Sequence, residues 1–153
     1  VYLAGIPTGA TKLVDALLQL WSCRKVELTR ISGDYISMDS EIESESTVLL
    51  IDDMVTEGTA AKQGARSIGV YGFQSDRHFY IYHLILSILQ RGDPWLFISG
   101  PGLGLFKVES LAYFPIRTWP QRECPLCRAG SKPVKAKNPA SNWDLLMNSL
   151  KNH

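Results

Sequence analysis

Two adjacent carboxylates at the end of an apolar run are the residues of this chain best suited to chemistry. They are Asp52 and Asp53, in the stretch VLLIDDMVTEGTA that covers residues 48–60. Neighbouring acids repel each other, so folding alone gives little reason to pair them. A ligand with hydroxyl groups, or a metal ion, would give one. Thr56, Glu57, Gly58 and Thr59 then turn into what reads as a helix. Backbone amides at a helix start, with the hydroxyls of Thr56 and Thr59, can cradle a phosphate. Gly58 lets the backbone come close to it. Acids for sugar hydroxyls and a loop for a phosphate, a few residues apart, describe a ribose 5-phosphate. A plain helix cap preceded by a surface acid explains neither the second acid nor the Thr-Glu-Gly-Thr.

The elements that must hold these residues follow from periodicity. VYLAG (1–5) reads as a short buried strand closed by the Gly/Pro-rich turn GIPTGAT (5–11). Leu13, Val14, Leu17, Leu18 and Trp21 recur at spacings of three and four, which predicts an amphipathic helix over 10–21. KVELTRI (25–31) alternates like a strand, and the acidic, Ser-rich stretch 32–46 reads as a loop or hairpin. TVLLID (47–52) is uniformly apolar, as central parallel strands are. A short helix is expected from about Thr59, a second helix over 78–91, and strands over 94–99 and 106–114. A terminal helix is expected in SNWDLLMNSLKNH (141–153). Strands alternating with helices predict an α/β fold with a parallel core sheet. In such sheets ligands bind beyond the carboxyl ends of the strands, where both candidate loops fall.

The chain has 153 residues, with Lys+Arg 16 against Asp+Glu 15 and 45% hydrophobic residues. That balance argues against a dedicated nucleic-acid binder. Three cysteines do not suggest a secreted disulfide framework, and no apolar run reaches the ~20 residues needed to span a bilayer. No signal peptide opens the chain, so a cytoplasmic protein is expected. The first residue is Val1, already mid-strand, which suggests part of a longer chain. The longest apolar run, 79–89, reads as a buried or interface helix. Cys124 and Cys127 have the spacing of half a zinc site or of a redox CxxC pair, but a structural turn is the plainer reading. GPGLGLF (100–106) mimics a phosphate loop, yet a strand-like segment follows, so it reads as a turn.

With these motifs in hand, the chain resembles the type I phosphoribosyltransferases, most closely the orotate branch. VLLIDDMVTEGTA is similar to their phosphoribosyl-diphosphate signature, and AGIPTGATKL (4–13) to their diphosphate-binding loop. CRK (23–25) resembles an Arg-Lys pair on their intervening strand, and SLAYFPIRTWPQRECPLCRAG (110–130) a Cys-Pro-Leu-Cys ending of some orotate-type members. The resemblance implies a central, mainly parallel sheet flanked by helices over 1–120, lacking the amino-terminal hood, with a tail over 121–153. It implies transfer of ribose 5-phosphate from phosphoribosyl diphosphate to a nucleobase, orotate-like pyrimidine being the leading guess, with Mg²⁺. The alternative is a catalytically degenerate module that binds phosphoribosyl diphosphate or nucleotide.

By this resemblance Asp52 and Asp53 would contact the ribose hydroxyls and help hold Mg²⁺, mostly through ligand or water. Thr56, Glu57, Gly58, Thr59 and Ala60 would hold the 5′-phosphate, with the Glu57 side chain pointing outward. Gly5, Ile6, Pro7, Thr8, Gly9 and Ala10 would bind diphosphate, and Arg24 and Lys25 would neutralise it. The family's catalytic-loop lysine and His-Gly are replaced by Leu28, Arg30 and Ile31, leaving Arg30 as the substitute cation. Family members commonly form dimers, and the 79–89 run is where an interface between two copies would form. Neither nucleic acid nor membrane is expected as a partner.

Overall fold

A computed structural model describes residues 1–32, 35–75, 77–131, 142–144 and 147–148. The chain divides into two compact units, Val1–Ile116 and Arg117–His153. The first holds eight strands and two helices among its described residues. In order these are β1 (Tyr2–Gly5), α1 (Gly9–Leu17), β2 (Arg24–Val26), β3 (Leu28–Ser32), β4 (Tyr35–Met38), β5 (Thr47–Val55), α2 (Thr59–Gln74), β6 (Tyr80–Gln90), β7 (Trp95–Phe97) and β8 (Leu105–Tyr113).

Six strands form one sheet in the order β2-β1-β5-β6-β8-β7. All neighbours run parallel except β7, which pairs antiparallel with β8 at the edge. The fold class read from the sequence, a mainly parallel sheet flanked by helices, is the one observed. β3 and β4 form a separate antiparallel hairpin between β2 and β5 in sequence.

Alternation along β1 and β5 decides which residues meet which helix. Leu3 and Ile51 face α1 and pack with Ala10 and Val14. Ala4, Val48 and Leu50 face the other way and join Ala61, Ala65 and Ile68 of α2 in the larger core. Ala61 and Ala65 let α2 lie close on the sheet, and both are fully buried. Beyond α1 its face of the sheet is open among the described residues of the first unit. There Leu86, Ile88 and Leu111 line a groove of about 260 Å³ with Leu13, Leu17 and Trp21.

One expectation fails. The 79–89 run is not a helix, buried or interfacial, but the eleven-residue strand β6, lying between β5 and β8. A central strand is apolar on both faces, so the run shows no period of two. Its β-branched and aromatic content (Tyr80, Ile81, Tyr82, Ile85, Ile88) was the better signal. The helix from Thr59 is longer than expected, at sixteen residues. The alternating stretch 25–31 splits at Glu27 into β2 and β3, which belong to different sheets. The segment 100–106 is the expected turn, leading into β8. Most of the expected terminal helix lies outside the described residues. No helix among the described residues is long and apolar enough to cross a membrane.

Leu50 carries the packing between β5 and α2 with no exposed surface. Truncation to alanine should cost about 2–5 kcal/mol in urea unfolding, the range for a buried leucine cavity. A loss well below 1 kcal/mol would show that β5 is not the centre of the core.

Candidate functional site

β1 and β5 run side by side, with Gly5 opposite Ile51, so the loop after β1 leaves beside Asp52 and Asp53 while β5 runs on to Val55. The Ile6 amide donates to the Ile51 carbonyl at 2.8 Å, fixing the first loop against the strand one residue before Asp52. From there Pro7 and Thr8 lead into α1 through a cis peptide bond. On the other strand Val55 leads through Thr56, Glu57 and Gly58 into α2.

Alternation then separates the two acids. Asp52 shares the parity of Leu50, which faces α2, and is only 5% exposed. Asp53 shares that of Ile51, which faces α1, and its carboxylate lies directly against Gly9, the first residue of α1. Any side chain at Gly9 would collide with that carboxylate. The acid therefore sits at the positive end of the α1 dipole. The Asp53 amide donates to Asp52 Oδ1 at 2.9 Å, and the Met54 amide to Asp53 Oδ1 at 2.9 Å.

Burial first, then the hydrogen bond and negative charge of Asp53, together push the Asp52 carboxyl up to about 7. At neutral pH Asp52 is therefore protonated for much of the time. A cation nearby, or hydroxyl donors from a ligand, would favour the doubly ionised form.

Each flanking helix begins without a side-chain cap and without an acid in its first turn. Gly58, the N-cap of α2, has φ of 69°, and Leu96 of β7 packs into the space a side chain would need. The second loop is held on its other side by Gly92, against the Thr56 carbonyl. Thr59 is exposed, Thr56 and Ala60 half-buried, and Glu57 exposed, as expected of a side chain pointing away from the loop. Two anion-accepting helix starts thus flank one acid pair.

Arg30, on β3, donates from Nη2 to the Pro7 carbonyl at 2.7 Å. The hairpin is thereby tied to the first loop. Arg24 and Lys25 are placed differently. Arg24 pairs with Tyr2 at the amino-terminal end of β1, away from the loops. It forms an ion pair with Glu43 and donates to the Tyr2 hydroxyl at 3.1 Å, and these contacts raise its already high pKa. Lys25 reaches Asp15 of α1 at 2.8 Å and Glu27 at 2.9 Å, and both raise its pKa. The structure does not bring either cation to the site.

The carboxyl end of β6 adds residues that sequence reading missed. Ser87 lies opposite Asp52 and donates to the Leu89 carbonyl at 2.8 Å. Gln90, buried at 4% exposure, lies opposite Val55 and holds the Gly92 carbonyl. The Arg91 amide donates to the Val55 carbonyl at 2.8 Å, and the buried Arg91 Nε has no hydrogen-bond partner. Reading 78–91 as a helix hid this end of the strand. The QRG triplet closing an apolar run was the available signal.

The chain trace is similar to two solved structures. One is an orotate phosphoribosyltransferase from Aeropyrum pernix, 18% identical at a TM-score of 0.49, matched over 73% of this chain and 59% of that one. This chain thus spans less than two-thirds of that protein. The other is a Helicobacter pylori xanthine-guanine-hypoxanthine phosphoribosyltransferase, 17% identical at a TM-score of 0.43, over 86% and 81%. No protein-family model and no curated protein matches the sequence.

No group of three or more His, Cys, Asp or Glu able to hold a metal occurs among the described residues. Two carboxylates alone fit Mg²⁺, which keeps most of its waters and is completed by ligand oxygens.

The raised Asp52 carboxyl fixes a pH dependence. Its ordinary value is 3.8, so the group favours the folded state fully below about pH 4. That contribution is lost as the pH rises through about 7. Asp52→Asn should therefore gain melting temperature relative to the native chain between pH 5 and pH 8. A difference that stays constant across that range would contradict the shift.

Proposed function

We propose that this chain binds phosphoribosyl diphosphate and transfers its ribose 5-phosphate to a nucleobase nitrogen, releasing diphosphate. What carries the reading is the Asp52–Asp53 pair set between two uncapped helix starts. The start of α2, with Thr56 and Thr59, takes the 5′-phosphate. The loop Gly5–Ala10 and the start of α1 take the diphosphate. The acids between them take the ribose hydroxyls.

Such a transfer passes through an oxocarbenium-like state, in which positive charge grows on the sugar and negative charge on the departing diphosphate. Rigid hold on the ribose by Asp52 and Asp53 orients the anomeric carbon. Amides at the start of α1 face the charge that develops on diphosphate. Bound Mg²⁺, held by Asp52 and Asp53 through water and ligand, would supply charge neutralisation there. Arg30 acts through its bond to Pro7, keeping the diphosphate loop in place. Arg91, at the end of β6, is the cation on hand for an anionic base, which keeps an orotate-like pyrimidine the leading acceptor.

A second reading, a binding module without turnover, has one observation in its favour. No lysine occurs in 28–38, and Leu28 is buried at 6% exposure, so the hairpin supplies only Arg30 as a cation. Diphosphate release on adding a base separates the two.

Calorimetric titration of phosphoribosyl diphosphate with Mg²⁺ should show saturable binding. The double variant Asp52→Asn/Asp53→Asn should lose it, and a folded chain that binds equally well with both acids replaced would overturn the site. At pH 6.5, binding should release protons as Asp52 ionises, seen as a heat that varies with the buffer's ionisation enthalpy. Gly9→Ala, whose methyl meets the Asp53 carboxylate, should weaken binding more than tenfold. Unchanged affinity there would remove the first loop from the site.

A further inference from the structure

The second unit carries a pair of thiols that the site above does not use. Cys124 is the N-cap of a short helix, α3 (Pro125–Arg128), and Cys127 is its third residue. Pro125 fixes the backbone of the first turn, and the Arg128 amide closes it on the Cys124 carbonyl at 3.1 Å. In such a turn the two Cα atoms lie about 5 Å apart. A disulfide accepts Cα separations of roughly 4.4–6.8 Å. The Cys124 side chain folds back over the turn, so that its Sγ accepts from the Cys127 amide at 3.4 Å. Both thiols are free and partly accessible.

We infer that Cys124 and Cys127 form a reversible dithiol–disulfide couple in which Cys124 attacks and Cys127 resolves. The co-reactant is a low-molecular-weight disulfide. Cys124 thiolate attacks one of its sulfurs, forming a mixed disulfide and expelling one thiolate. Cys127, giving up its proton to solvent, then attacks Cys124 Sγ and expels the second. The protein loses two electrons and two protons, and the small disulfide becomes two thiols. The asymmetry has a physical cause. Hydrogen bonds from the Cys127 amide and thiol lower the Cys124 thiol pKa, while the bond to Cys124 raises that of Cys127. The more acidic thiol supplies the nucleophile.

Treating the full chain with excess glutathione disulfide at pH 7, followed by alkylation and peptide mass analysis, tests this. The native chain should form a Cys124–Cys127 disulfide that dithiothreitol reverses, while Cys23 remains outside it. Cys127→Ser should trap glutathione on Cys124, and Cys124→Ser should trap it several-fold more slowly. Two thiols that stay reduced in excess disulfide would overturn the couple. So would equal trapping in the two variants, or stoichiometric zinc bound through these sulfurs in the native chain.

Discussion

The contact on which the site depends is that of the Asp53 carboxylate with Gly9. Two parallel strands bring it about, because β1 ends opposite Ile51 and its loop turns over Asp52 and Asp53, which lie on the part of β5 that runs on. The strand period of two then points one acid at each helix layer. Asp52 turns into the crowded α2 side and is desolvated; Asp53 turns toward α1 and meets a helix start. Burial thus raises the pKa of Asp52, although the two acids are chemically identical neighbours. The first loop can approach only because residue 9 lacks a side chain. A larger residue there would separate the two halves of the site without altering the sheet.

Legibility in the sequence followed how local each signal was. β5, the start of α2 and the two loops were readable because a single continuous stretch holds both the apolar run and its polar ending. The placement of the loops beyond the strand ends was also readable, since parallel topology leaves no other place for them. β6 was not, because a strand with apolar residues on both faces has the composition of a buried helix and no alternation. Arg24 and Lys25 illustrate a different limit. Their identity and position in the chain suggested a role with anions, but the register of β2 against β1 places Arg24 beside Tyr2. Register is a long-range property, and the partners that claim these cations (Glu43, Asp15, Glu27) come from three separate segments of the chain.

Arg30 shows how a residue can be identified for one role and found in another. As a charge it was the substitute for a missing lysine. In the folded chain its guanidinium holds a backbone carbonyl of the first loop, so it acts on geometry before it acts on any ligand. A hairpin outside the main sheet is joined in this way to the loop beside Asp53, and the half-buried guanidinium keeps that hydrogen bond partly shielded from water.

The packing of Leu96 against Gly58 places one end of the second loop in the keeping of β7, a three-residue edge strand remote in sequence. Edge strands tolerate change better than central ones, because only one side is paired. Substitutions in β7 would therefore act as a tuning screw on the loop, shifting its height over the α2 start by fractions of an ångström. Two chains with identical acids and identical loop residues could differ in how firmly this loop is held, with the difference written entirely at the rim of the sheet.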